Sequence, residues 1–315
     1  MNLALWKERF REYMQLCGWS PRTVATYTYE LGPLFSFLEA HGIDSPAGIT
    51  QEVVEEYRTH LFYAEYRGND PTLKGQRLSI RTQGTRLSAV KAFLRFLVCE
   101  HFLLVDVGAG VELPRTPRPL PRVLLSEREV ERLMMAPDPS TPLGLRNRAI
   151  LEVLYGTAIR NSELRYLTLD EVDVERRELR IQRGKGSKSR VVPLGEEALV
   201  WLEAYLVEAR PKLVRTPSER LVFLTDGGLA FGRNTLSIMV RETACAARLK
   251  KHVTPHLLRH CCATHMLRHG AGIRHLQALL GHESAATTQR YTKVEVSDLR
   301  AVLTKCHPRE RKPLA

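Results

Sequence analysis

No stretch of this chain stays apolar for anything near the ~18 residues that a membrane-crossing helix needs, so a helical membrane span is not expected. The N-terminal run Met1-Asn-Leu-Ala-Leu-Trp-Lys-Glu-Arg-Phe10 is interrupted by charge and reads as an amphipathic helix rather than a signal peptide. A cytoplasmic protein is the expectation. None of the six cysteines (Cys17, Cys99, Cys245, Cys261, Cys262, Cys306) has C-x-x-C spacing, which removes the common zinc and redox motifs. Most lie in apolar stretches, so buried reduced thiols are expected rather than disulfides. Internal repeats, low-complexity tracts and any carboxylate cluster of two-metal character are also missing. Acid is in short supply: 35 acidic side chains face 47 basic ones, a net charge of +12.

That excess is unevenly placed. Residues 1–110 carry 12 basic and 12 acidic side chains, so all of the surplus falls on 111–315. Within the neutral part, 1–66 holds 5 basic against 9 acidic residues and 67–110 holds 7 against 3. A surface charged in this way attracts a polyanion, and nucleic acid is the obvious one.

With 315 residues the chain can bury two cores. Helical periodicity predicts helices over 2–17, 21–41, 51–67 and about 80–101, a four-helix bundle occupying 1–110. The polar face of the last helix shows Arg77, Arg81, Arg86, Lys91 and Arg95. These five read as a stripe that tracks phosphates, the alternative being a solvated face. Leu113-Pro-Arg-Thr-Pro-Arg-Pro-Leu-Pro121 places four prolines in nine residues. It reads as a stiff extended linker, bounded here as 111–122. The second domain, 123–315, opens on the capping box Ser126/Glu129. Helices follow over 143–155, from 160, and over about 196–209. The runs 178–181 and 190–194 form a β-hairpin with its turn at Gly184-Lys-Gly-Ser-Lys188, and 221–224 reads as a short strand. The fold class is therefore mainly α with a small antiparallel sheet in the C-terminal domain.

The last third concentrates the chemistry. Thr254 reads as an N-cap and Pro255 as the first residue of a helix that carries His256 and Arg259 on one face, three positions apart. The next helix, about 272–280, ends on Gly281 as a left-handed cap and delivers His282 just beyond it. A short helix from about Ser284 carries Tyr291. A guanidinium fork matches two phosphate oxygens, and a phenol can become a covalent nucleophile, so this set points to phosphodiester chemistry.

Four blocks together resemble the tyrosine recombinase (phage integrase) family, in its Xer-like and mobile-element branch. They are Tyr155-Gly-Thr-Ala-Ile-Arg-Asn-Ser-Glu-Leu164, Gly184-Lys-Gly-Ser-Lys-Ser-Arg-Val-Val-Pro-Leu194, His256-Leu-Leu-Arg-His260, and Leu279-Leu-Gly-His282 followed by Tyr291. The resemblance spans nearly the whole chain and implies a SAM-like core-binding domain ahead of the catalytic domain. It implies that Arg160 and Arg259 clamp the scissile phosphate and that Lys185 protonates the leaving 5′ oxygen. His256 would assist proton transfer at the tyrosine, His282 would contact the phosphate, and Tyr291 would be the nucleophile forming a 3′-phosphotyrosine. Lys188 and Arg190 would touch neighbouring phosphates. No cofactor and no metal are expected, because the covalent link keeps the phosphodiester's free energy for religation. Double-stranded DNA is the implied partner, held by a homotetramer of two dimers or by an assembly with a related recombinase. Many relatives have glycine where this chain has Ala158, so a left-handed turn there would cost about 1 kcal/mol.

Rival readings remain open at this stage. His256, His260, Cys261, His265 and His269 crowd one helix, but a zincin would need glutamate where Leu257 stands. A DNA-binding protein that kept the fold without the chemistry is a second. A type IB topoisomerase is a third, which the compact size and the N-terminal bundle disfavour. An arm-binding domain ahead of residue 1 is not expected, which argues mildly against a lambda-like integrase. Val296, Leu299, Val302 and Leu303 have the spacing of a tail that docks on a neighbouring protomer, with packing in cis as the equal alternative.

Overall fold

The computed structural model describes residues 3–66, 74–115, 124–182, 189–232, 234–281 and 296–310. Lys185, Lys188, His282 and Tyr291, with the expected helix from Ser284, lie outside the described residues. The chain divides into two compact units, Met1–Leu120 and Pro121–Ala315.

The first unit contains helices α1 (Leu3–Leu16), α2 (Pro21–Glu30), α3 (Gly32–Ala40), α4 (Gln51–Tyr63) and α5 (Ile80–Cys99). Trp6, Phe10 and Met14, four residues apart, form the buried stripe of α1. Ser20 accepts the Thr23 N–H at the start of α2, with Pro21 in the first turn. The helix expected over 21–41 is two helices, because Pro33 has no N–H to continue the ladder and its ring crowds the carbonyl four residues back. The helix expected over 51–67 stops at Tyr63. Ala64 turns extended, and Glu65 pairs with Arg77 in an isolated antiparallel bridge. Phe10, Phe35, Phe93 and Phe96 meet edge-on or tilted at the centre, with ring centroids 5.4–6.1 Å apart. The first residue of the expected linker packs with the helices. Val111 is buried in this core, and Lys91 donates to the Val111 carbonyl at 2.7 Å.

The second unit is built around α7 (Pro142–Thr157), which follows α6 (Glu127–Met135). Ile150, Leu151, Val153 and Leu154 are all wholly buried, and the charged Arg146, Arg148 and Glu152 are buried too, so α7 is enclosed by the unit it organises. After α8 (Asn161–Arg165) come strands β1 (Val172–Asp173), β2 (Glu178–Ile181) and β3 (Arg190–Pro193), an antiparallel sheet in the order β1-β2-β3. Glu178 faces Pro193 and Ile181 faces Arg190, the hairpin read from the alternation. Then follow α9 (Glu196–Ala204), a π-helical turn over Tyr205–Ala209, and α10 (Arg210–Leu213). The run 221–224 is not a strand. It makes one bridge, Leu221 to Thr168, and no further strand lies beside it among the described residues. The remaining helices are α11 (Thr235–Ala246), α12 (Pro255–Arg268), α13 (Ile273–Leu280) and α14 (Val296–Cys306).

The C-terminal segment packs in cis. Leu299, Leu303 and Cys306 are buried, and the last two join the core cluster of the second unit. Beyond α14, His307 is 1% exposed and donates from Nε2 to the Tyr155 carbonyl at 3.2 Å, while its Nδ1 accepts the Arg309 N–H. Burial pushes the His307 imidazole down to about 4. A histidine held neutral in the fold but protonated when unfolded stabilises the protein above its unfolded value, near ~6.5, and that stability drains away as pH falls toward 4. The thermal midpoint of the second unit should therefore drop between about pH 6.5 and 4, and His307→Gln should flatten that slope. An unchanged slope in the variant would assign the acid sensitivity to other groups.

Half of the cysteine expectation holds. All six are free thiols, yet Cys17, Cys99 and Cys245 are exposed and only Cys261, Cys262 and Cys306 are buried. The first two end helices and the third sits on the outer face of α11, so apolar neighbours in sequence did not become neighbours in space. No helix among the described residues is long and apolar enough to cross a membrane.

Candidate active site

Four local devices assemble the site. Thr254 accepts the Leu257 N–H and starts α12, with Pro255 in its first turn. This places His256 exposed in that turn and Arg259 one turn later, buried. Arg160 is the N-cap of α8, where its backbone N–H donates to the Glu163 carboxylate at 2.7 Å. Gly281 ends α13 in the left-handed conformation, φ 60°, which glycine adopts without a Cβ penalty. The hairpin base brings Arg190 in at the start of β3.

These parts converge. Arg259 donates to the Leu280 carbonyl at 2.7 Å and to the Ala158 carbonyl. Arg160 donates to the next carbonyl, that of Gly281, at 2.9 Å. Two guanidiniums from distant segments thus meet at the turn that leads directly into residue 282. Each has five N–H donors in a fixed fork, so these bonds fix its pose and leave donors over for an anion. Glu163 lies among them with its side chain 1% exposed, bonded to Arg160 at 2.8 Å and to Arg190 by two bonds of 2.8 Å. Burial alone would raise the Glu163 carboxyl. The bonds from Arg190, the Arg160 backbone and the Arg160 side chain outweigh it and bring the group down to about 2. Burial, reinforced by the charge of Arg160, lowers the Arg259 guanidinium to about 10, still cationic at neutral pH. Three guanidiniums against one carboxylate leave a cationic pocket, the electrostatic complement of a phosphodiester gaining charge in its transition state.

Sequence reasoning misplaced several residues. Arg190, expected on a neighbouring phosphate, turns inward and gives both terminal nitrogens to Glu163. The buried Glu163 carboxylate within hydrogen-bond reach decides this, and strand alternation could not reveal it. Glu163 stands three residues after Arg160, a spacing that suits a helix-end ion pair, but nothing in the sequence marks it as buried. The basic row read along α5 is not one continuous face. Arg77 precedes the helix and stacks on Phe62 and Tyr63, 5.2 Å from each ring. A spacing of five rotates Arg86 by about 140° from Arg81, so it leaves the face that Arg81, Lys91 and Arg95 share within roughly 80°. Arg86 pairs with Glu30 at 3.1 Å, Lys91 is spent on the carbonyls of Ala109 and Val111, and Arg95 lies 3.6 Å from Asp106. Arg81 stays exposed in the first turn.

Two of the crowded histidines are structural. His265 is wholly buried between the Tyr155 hydroxyl and the Leu125 carbonyl, each at 2.9 Å, and His269 meets Glu127 at 2.8 Å. Among the described residues no group of three or more His, Cys, Asp or Glu is placed to hold a metal ion.

Ala158 does adopt the left-handed region, φ 52°, and its methyl is fully buried. Strain of about 1–2 kcal/mol is set against roughly 0.8 kcal/mol from burying the methyl and about 0.4–1 kcal/mol from a stiffer unfolded chain. The terms nearly cancel, which explains why alanine is tolerated. Ala158→Gly should change unfolding free energy by less than about 1 kcal/mol, as measured by denaturant titration; a gain above twice that would mean the turn is strained beyond this accounting.

Comparison with known proteins identifies the family. The phage integrase family model matches residues 124–297 and the phage integrase N-terminal SAM-like domain matches 8–101. Tyrosine recombinase XerC 2 of Ralstonia nicotianae is 40% identical over 306 residues, covering 97% of this chain and 86% of that protein. Tyrosine recombinase XerD of Pseudomonas putida is 36% identical, covering 97% and 95%. Lambda integrase in a dimer bound to a COC′ core site shares the fold, with TM-score 0.67 and 16% identity over 94% of this chain and 100% of that one. XerH bound to palindromic difH does so at TM-score 0.64 and 19% identity, over 91% and 77%. The chain belongs to the phage integrase family, as an Xer-like tyrosine recombinase, an enzyme of site-specific DNA recombination.

Proposed function

We infer that Arg160, Lys185, His256, Arg259 and His282 surround one scissile phosphate of duplex DNA and that Tyr291 attacks it. The phenolic oxygen bonds to phosphorus as the bond to the 5′ oxygen breaks, leaving a 3′-phosphotyrosine and a 5′ hydroxyl. Arg160 and Arg259 hold the non-bridging oxygens, and their charge opposes the negative charge that grows there. Lys185 gives the departing 5′ oxygen its proton. His256 takes the phenol's proton, a role that an imidazole titrating near neutrality fills well. A 5′ hydroxyl from a partner strand reverses the step and rejoins the DNA. The observation that carries this reading is the convergence of Arg160 and Arg259 on consecutive carbonyls, Gly281 and Leu280, one residue ahead of His282.

The first unit supplies further DNA contacts, Arg81 being the best placed of the five basic residues singled out in the sequence. Lys188 contacts a flanking phosphate. A tetramer of two dimers performs the strand exchange, alone or with a related recombinase, in a cytoplasmic setting. Support for assembly comes from the solved recombinases of this fold, which include a lambda integrase tetramer bound to a Holliday junction.

The test is covalent capture. The protein is incubated with sheared DNA of its source organism in EDTA and quenched with SDS. Protein-linked fragments are then sequenced and the modified peptide is mapped. A recurring fragment attached through its 3′ end to Tyr291 is expected. No SDS-resistant adduct, or attachment at another residue, overturns the assignment.

A further inference from the structure

Arg190 belongs to none of the roles above, yet it is among the most constrained side chains around the pocket. Its side chain is 14% exposed and gives two bonds of 2.8 Å to the two oxygens of Glu163. Its Nε is buried and has no hydrogen-bond partner among the described residues, a desolvation that only a well-held guanidinium tolerates. On the other side it lies flat against the α13 cap. A Cβ built on Gly281 would stand 3.1–3.2 Å from Cδ, Nε and Cζ of Arg190. One side chain from β3 therefore touches both supports of Arg160: the carboxylate that fixes one terminal nitrogen and the residue whose carbonyl receives the other.

We propose that Arg190 is a positioning residue for strand cleavage, bracing Glu163 against the Gly281 turn so that Arg160 is held in its working pose. The inference rests on the placement of Arg160 at the scissile phosphate given above. Glu163 has two oxygens, and Arg160 engages only one with its side chain. The Arg160 backbone N–H takes the other, so without the second cation the carboxylate is held by Arg160 alone and nothing ties the pair to β3 and the Gly281 turn. Misplacement of an orienting group by about 1 Å can cost about a hundredfold in rate. The geometry also gives Gly281 a second reason to be glycine, since a methyl there would press on the brace as well as strain a left-handed backbone.

The experiment uses the full chain and a nicked duplex carrying the sequence recovered by covalent capture. Arg190→Ala and Arg190→Lys are compared with wild type for single-turnover adduct formation at saturating DNA, for affinity across a salt series, and for thermal midpoint. Cleavage by Arg190→Ala should fall about ten- to a hundredfold, while affinity and salt slope stay within about twofold. Arg190→Lys, which can offer Glu163 one N–H direction but not a fork, should be intermediate. Guanidinium ion added to Arg190→Ala should recover part of the rate. Weakened affinity with a salt slope reduced by about one would make Arg190 a phosphate contact instead and overturn the proposal. So would a rate loss that only tracks the unfolded fraction, or wild-type cleavage by both variants. Absence of an adduct from the wild-type protein would strike the assignment of Tyr291 and the pocket, a failure distinct from any of these.

Discussion

Tyr291→Phe should bind the recombination site as the wild type does and form no covalent adduct. The substitution removes a single oxygen, the one proposed to bond to phosphorus, and leaves the cationic pocket of Arg160, Arg190 and Arg259 untouched. Affinity comes mainly from phosphate neutralisation spread over many basic side chains, so a native gel should show the shifted band unchanged. With a nicked suicide duplex, from which the short cleaved strand diffuses away, the wild type should accumulate adduct and the variant should stay at background. No neighbouring hydroxyl is expected to substitute, because an attacking oxygen must lie in line with the leaving group and about 3–3.5 Å from phosphorus. Adduct formation by the variant would move the nucleophile elsewhere. Loss of binding would instead show that the phenol contributes to holding DNA.

The largest expected effect on stability is at Glu152. Its side chain is 1% exposed and lies between Arg148, at 3.0 Å, and Arg309, at 2.6 Å. Arg148 also stacks on Trp201, 4.4 Å from the ring centroid, and Arg309 reaches Glu197 at 3.1 Å. Burial pushes the Glu152 carboxyl up, against the pull of Arg309 and Arg148. Glu152→Ala leaves two largely buried cations facing each other, and breaking such a pair costs about 3–5 kcal/mol. For a unit of this size that is a fall in thermal midpoint of roughly 10 °C. The double variant Glu152→Ala/Arg309→Ala should lose less than the sum of the two single changes, since the charges it removes are each other's partners. A single-variant loss below about 1 kcal/mol would mean that water reaches this site and screens it.

The same pair bears on the tail. Arg309 and His307 anchor the segment after α14 to α7 of the same chain, and Glu310 accepts the Glu196 N–H at the start of α9. Removing everything after Thr292 would strip Leu303 and Cys306 from the core. Truncation therefore tests folding and assembly together, and a point change at Arg309 is the cleaner probe of whether the tail exchanges between protomers.

The residue pattern was sufficient wherever the deciding interaction spans one helical turn or one strand pair. The capping box at Ser126, the N-cap Thr254, the left-handed Gly281 and the β2–β3 register all follow from donors, acceptors and alternation within a few positions. Two of the four blocks are local devices of the same kind, setting Arg160 at the start of α8 and Arg259 in the opening turns of α12. Periodicity failed where a partner comes from elsewhere in the chain. Arg86, Lys91 and Arg190 look alike in sequence, three cations on regular elements. Folding sets one beside Glu30, one beside two carbonyls and one beside Glu163. Which acceptor a guanidinium finds depends on what the fold has desolvated next to it, and that environment exists only once the helices and the sheet have packed.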